Sequence, residues 1–126
     1  MTSTAHPLTR IRLELARSKE HPSGSASHGY EFVAPLDADG RLDASAWKGL
    51  RDRCRVHRFW GAGDEDVGHV VHRRGNWVFH YDVDGDEDDE AGYKLSSHTF
   101  NLGDYVSIRD EDEVLHTFRV VRTDPV

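Results

Sequence analysis

Asp82, Asp84 and Asp86 alternate with Val83 and Gly85 in the stretch DVDGD (82–86). Carboxylates at this spacing can turn their oxygens onto one hard divalent cation, as at the start of a helix–loop–helix calcium loop. The match then stops. Such a loop needs Gly at its sixth position and Glu at its twelfth, where this chain has Glu87 and Tyr93. A charge run of this kind equally serves as a solvated loop. The chain also carries 9 histidines, and six of them (His57, His69, His72, His80, His98 and His116) fall on segments that read as strands. His69 and His72 are an odd number of residues apart, so on a strand they face opposite sides and cannot chelate together. If Arg74-Gly75 is a two-residue turn, Arg73 pairs with Asn76 and His69 lies across from His80. A three-residue turn would put Phe79 there instead. A cross-strand His69–His80 pair with Asp82 or another carboxylate would suit zinc or a similar ion. The candidate divalent-cation set is therefore Asp82, Asp84, Asp86, His69 and His80. No HxH or HExxH motif accompanies it, and half-exposed or hydrogen-bonded strand histidines are the competing reading.

A second candidate is RDRCRVHRFW (51–60), which interleaves guanidinium groups with rings. Arg53, Arg55, His57, Arg58 and Trp60 could hold a polyanion or single-stranded nucleic acid by ion pairing and stacking. Strand alternation divides the tract, placing Arg53, Arg55, His57 and Phe59 on one side and Cys54, Val56, Arg58 and Trp60 on the other. The alternative is a solvated basic face that balances nearby acids. No catalytic residue is assigned. The serines lack a G-x-S-x-G context, Cys54 opens a strand as a small apolar filler, and neither GSASHG nor GAGDED matches a phosphate-binding glycine loop.

The elements that must position these residues are mostly strands. From Leu8, Ile11, Leu13 and Leu15 share one face and Arg10, Arg12 and Glu14 the other, the period of a half-buried strand. Residues 19–29 read as a Ser/Gly/Pro loop, 29–36 as a strand and 37–40 as a turn. Asp43 can cap a short helix over 43–53 whose Trp47 and Leu50 face the sheet, with Gly49 weakening it. Strands follow at 54–60, 67–73, 76–82, 93–100, 104–110 and 114–121. Trp47, Trp77, Phe79 and Tyr81 read as packing residues. In the last hairpin a three-residue loop pairs Val106 with Phe118 and Ile108 with His116. Val114, Phe118 and Val120 then face inward and Arg119 outward; the opposite parity would bury Arg119 at high cost. The fold class is mainly β, a single small antiparallel β-barrel or curled sheet of six to seven strands with one short helix near 43–53. Residues 1–7 form a flexible N-terminus, and 8–122 form one domain.

Charge is unevenly spread. The chain has 23 acids and 16 bases, and DVDGDEDDE (82–90) alone supplies seven acids, so the rest is balanced. Smaller clusters lie at 64–66 and 110–113. If every connection reverses the chain, loops 19–28, 61–66, 83–92 and 110–113 share one rim, along with His21 and His28. Like charges gathered there raise the local potential unless cations answer them. Such a rim argues against duplex nucleic acid, which needs a basic footprint.

With 126 residues the chain holds one domain and is too short for a complete Rossmann or TIM-barrel enzyme. It lacks a membrane-length apolar run and a signal-like start. Its single cysteine fits a reducing cytoplasm. The strings GYEFVAPL, LDASAW, CRVHRFW and DYVSIRDEDEVLHTFRVV together resemble a family of small bacterial proteins of uncharacterised function, over residues 29–121. That resemblance implies a compact β-rich domain and no transferable activity or site. LGDYVSI also resembles the opening of SH3-like barrels. The expected function is a non-catalytic interaction module whose acidic rim contacts a divalent cation or a cationic partner. A metal-dependent enzyme built on strand histidines and rim carboxylates is one alternative, and the polyanion binder is another. The expected partner is a protein or small ligand, and the expected state a monomer or homodimer.

Overall fold

The computed structural model describes residues 8–61, 63, 65–73, 75–81, 90–91, 99–109 and 114–126. The alternating residues build an antiparallel sheet: β1 (Leu8–Leu15), β2 (Ser25–Pro35), β3 (Arg55–Trp60), β4 (Glu65–Arg73), β5 (Asn76–Tyr81), the two-residue β6 (Glu90–Ala91), β7 (Tyr105–Arg109) and β8 (Leu115–Pro125). The spatial order is β6-β5-β4-β3-β2-β1-β8-β7, so the last hairpin returns beside the first strand. The sheet curls into a half-barrel. Its concave face carries the fully buried Tyr30, Phe32, Phe79, Phe100 and Phe118 together with Ile11, Leu13, Val56, Val70, Val106 and Ile108. Trp47, Trp77 and Tyr81 are buried with them.

Parity fixes the register where one face is apolar. Arg73 pairs with Asn76 and His69 with His80, as the two-residue turn requires. Val106 pairs with Phe118 and Ile108 with His116, leaving Arg119 exposed. Val114 departs from expectation. It precedes β8 and is 49% exposed, because the pairing that would turn it inward begins one residue later.

The helix is shorter than 43–53. Asp43 does cap it, its Oδ1 accepting from the Ala46 amide at 3.1 Å. Only Ala44–Trp47 is α-helical, and a separate 3-10 turn covers Arg51–Arg53. Tightened bonds from Gly49 N–H to Ala46 O and from Leu50 N–H to Trp47 O close it, as expected where glycine interrupts a short helix lacking strong propensity. Trp47 still docks on the sheet, its indole N–H donating to Val70 O at 2.9 Å. Two strand boundaries also shift. β2 begins at Ser25 because His28 pairs with Trp60, and β8 runs to Pro125 because its end pairs with Thr9. β6 lies inside the stretch read as acidic loop. Most of the strand expected at 93–100 falls outside the described residues, and Thr99 and Phe100 are not in a strand. Residues 1–7 also lie outside them.

Two strand glycines set how closely neighbours approach. A Cβ on Gly68 would sit 2.0 Å from the His80 carbonyl oxygen, and one on Gly29 would sit 1.9 Å from that of Leu13. Both clashes are with backbone, which cannot swing away as a side chain can. Gly68→Ala should therefore destabilise the fold by about 3 kcal/mol, the upper end of ordinary overpacking. Urea unfolding followed by circular dichroism measures it, and an unchanged midpoint would contradict the close approach.

Candidate functional site

Each strand runs antiparallel to its neighbour, so β1, β3, β5 and β7 all point the same way and finish at one end of the half-barrel. Leu15, Trp60, Tyr81 and Arg109 mark this end, which we call the upper one. Asp82, Asp84 and Asp86 lie outside the described residues, as do the other acids of 82–89, Asp64 and residues 110–113. Glu65 and Asp66 are not loop residues. They open β4, on opposite faces, and each meets a basic residue of β3: His57 Nε2 is 2.9 Å from Glu65 Oε1, and Arg58 Nη1 donates to Asp66 Oδ2 at 3.4 Å.

The basic tract is divided as strand alternation demands. Arg53 belongs to the 3-10 turn, Arg55 and His57 lie on the convex face, and Arg58 and Trp60 share the other side. Arg58 is largely covered, its side chain 15% exposed, and its guanidinium stands 5.0 Å from the Trp60 ring centre. Phe59 is roofed by Arg12, whose guanidinium lies 4.4 Å from the ring and also bonds Glu14 at 2.8 Å and Glu31 at 3.2 Å. On the convex face Arg12 and His57 therefore each meet an acid of an adjacent strand. Arg55, His69 and His80 are successive neighbours across β3, β4 and β5, with Arg55 Nη1 3.3 Å from His69 Nε2. That guanidinium places a positive charge beside the nitrogen a metal would need. Among the described residues no group of three or more His, Cys, Asp or Glu side chains is placed to hold a metal ion.

The concave side of the upper end carries a constellation that the sequence placed only in part. His28 pairs with Trp60 across β2 and β3, and their rings meet edge to face at 4.8 Å. His21, in the β1–β2 connection, lies 4.8 Å from His28. His116, on β8, lies 5.1 Å from Trp60 across the curl. Sequence parity put His116 on the apolar face and His21 and His28 in a shared loop. The link through Trp60 was hidden because it joins strands that are not sheet neighbours. A cleft of about 440 Å³ is lined by His21, Trp60 and His116 together with Leu15, Arg17, Glu20, Val114 and Leu115.

Ser25 fixes the His28 ring. Its Oγ lies 2.7 Å from Nδ1, within hydrogen-bond distance, and accepts from the Ser27 amide at 3.2 Å. Burial, then repulsion from His21 and Arg58, lowers the His28 pKa below its ordinary 6.5. The fold therefore favours the neutral ring. As pH falls through 6.5 the unfolded chain takes up a proton that the folded chain resists, so stability falls until the folded-state pKa is passed. The urea midpoint should drop between pH 7 and pH 5, less steeply in His28→Gln; equal slopes would contradict this account.

Cys54 lies apart from this site, fully buried where β3 begins. Burial pushes its thiol up to about 11, against a smaller opposing effect of Arg53. A thiolate at neutral pH is therefore scarce and inaccessible. A disulfide reagent at pH 8 should leave the native protein unmodified and react with one thiol per chain in urea; rapid native labelling would refute the burial.

No helix among the described residues is long and apolar enough to cross a membrane. Comparison with protein-family models, curated proteins and solved structures found no match to the chain.

Proposed function

We propose that this protein is a non-catalytic binding module that takes a cationic partner at the upper end of the half-barrel. The reading rests on one observation: β1, β3, β5 and β7 finish at the same end. The chain segments that leave those ends include 82–90 and 110–113, which hold eleven of the 23 acids. Carboxylates tethered there concentrate a negative field, which attracts a cation and speeds encounter with a positively charged partner. Glu65 and Asp66 contribute less, since His57 and Arg58 already answer them. A cytoplasmic setting goes with this reading, resting on the single cysteine, and a monomer or homodimer would present the same end.

A lysine-rich peptide titrated calorimetrically should bind, and added salt should weaken it as mobile ions screen the acids. The triple change Asp84→Asn, Asp86→Asn and Asp88→Asn should reduce affinity about tenfold, at roughly 0.5 kcal/mol for each exposed charge pair. Absence of binding at low salt would overturn the reading. Stoichiometric zinc by elemental analysis would overturn it in favour of a metal-dependent enzyme that uses His69 and His80.

A further inference from the structure

We propose that the groove on the convex face where β1, β8 and β7 lie side by side binds a small aromatic phosphomonoester, its phosphate held by Arg17 and Arg119 and its ring against Tyr105. This goes beyond the cationic-partner reading and uses none of the acids on which that reading rests. The register builds the site. Arg119 on β8 is the pairing partner of both Glu14 on β1 and Tyr105 on β7. Cross-strand partners point to one face, with Cβ atoms about 5 Å apart. Arg119 is exposed, and Tyr105 is 60% exposed on the last strand of the sheet order. The β1–β2 connection supplies the remaining wall. The Ala16 amide donates to Thr117 O at 2.9 Å, which starts Arg17 beside β8. Gly24, at φ +77°, turns the connection back over β1, so closely that a Cβ there would sit 2.7 Å from Leu15 O. Arg17, Ser23, Tyr105, Thr117 and Arg119 thereby line one groove of about 790 Å³, within the range of small-ligand sites.

Charge selects the ligand. Among the described residues Glu14 is the one acid that lines the groove. Its carboxylate is turned along its own strand to Arg12, at 2.8 Å, although the register sets Arg119 beside it. Neither Arg17 nor Arg119 has an ion-pair partner among the described residues. Two unanswered guanidinium groups on one groove are a local reversal of sign in a chain of net charge −7. A guanidinium presents a planar fork of donors that matches the oxygens of a phosphate. The hydroxyls of Ser23 and Thr117, on the same groove, are further donors to such oxygens. Tyr105 selects the rest of the ligand. Its exposed ring offers a face to a second ring, and it stands one strand from Arg119, about the span of a phosphate joined directly to an aromatic ring.

The test titrates the full chain with phenyl phosphate and, separately, with inorganic phosphate, followed by two-dimensional NMR at about 0.15 M salt, where charges beyond roughly 8 Å are largely screened. Phenyl phosphate should bind one per chain with a dissociation constant of about 1 mM or tighter, as two charge-assisted contacts supply. Arg17→Gln and Arg119→Gln should each weaken it about tenfold, with melting curves unchanged because both side chains are exposed. Arg41→Gln, at an exposed arginine outside the groove, should leave it unchanged. Tyr105→Ser should weaken phenyl phosphate about fivefold and inorganic phosphate by less than about twofold. No binding of phenyl phosphate, or binding that ignores both groove arginine variants, would overturn the site. If Tyr105→Ser leaves the affinity for phenyl phosphate unchanged, the aromatic half is wrong and a plain phosphate site stands. The lysine-rich peptide is a separate probe of a separate region, so this inference and the cationic-partner reading fail independently.

Discussion

Everything in this molecule follows from a single sheet having to cover its own apolar face. Among the described residues no second sheet packs on it, and its helix is one turn long. The sheet therefore covers itself by curling. Neighbouring strands lie about 4.8 Å apart, so strands three places apart in a flat sheet would be roughly 14 Å distant. Trp60 on β3 and His116 on β8 are three places apart, yet their rings are 5.1 Å apart. Tyr30 on β2 reaches both Phe79 on β5 and Phe118 on β8, at 5.1 and 5.2 Å. Large rings cross-brace distant strands over the concave face, and Gly29 and Gly68 admit the neighbouring backbones that any side chain would push away. At the lower mouth Trp47 closes the gap against Trp77, ring centres 5.8 Å apart.

Curling also sorts the charge. On the convex face the strands present residues that must remain in water, and there Arg12 meets Glu31 and His57 meets Glu65 on the next strand. Such exposed pairs contribute little stability each. Within the basic stretch 51–60, His57 and Arg58 meet acids of β4 while Arg55 meets His69. The charges of that stretch are shared between two faces and a turn, which does not favour a continuous track for a polyanion. The uneven part of the charge belongs to the connections, and the strand directions send four of these to one end.

The parts of the fold legible in the sequence were those where a parity error would be expensive. Ile11, Leu13 and Leu15 against Arg10, Arg12 and Glu14 left β1 no choice of face. Arg119 fixed the last hairpin, because the other register would have buried a guanidinium. Arg74-Gly75 fixed the register that sets His69 opposite His80. Legibility failed where local signals were weak or opposed. Asp43 predicted the helix start correctly, but Gly49 and the following Leu50 let the chain tighten into 3-10 geometry where a longer helix was expected. β6 is two residues long and sits in an acidic stretch with no alternation to reveal it. The His21–His28–Trp60–His116 constellation was half visible, since the sequence placed each ring near the rim or on the apolar face. Their contact depends on how far the sheet curls, and no local pattern encodes that.

The surroundings of His28 oppose its use as a general base. Ser25 and His28 are within hydrogen-bond reach, the first requirement for an activated nucleophile. A histidine acting as general base must, however, be stabilised as it takes the proton, as a buried aspartate does in the Ser-His-Asp arrangement. The neighbours that act on His28 are His21 and Arg58, and with burial they raise the energy of the imidazolium. Proton transfer from Ser25 would therefore run uphill at the base as well as at the nucleophile. A ring whose neutral form is favoured, within hydrogen-bond distance of a hydroxyl and set edge-on to an indole, is a fixed part of this end of the sheet.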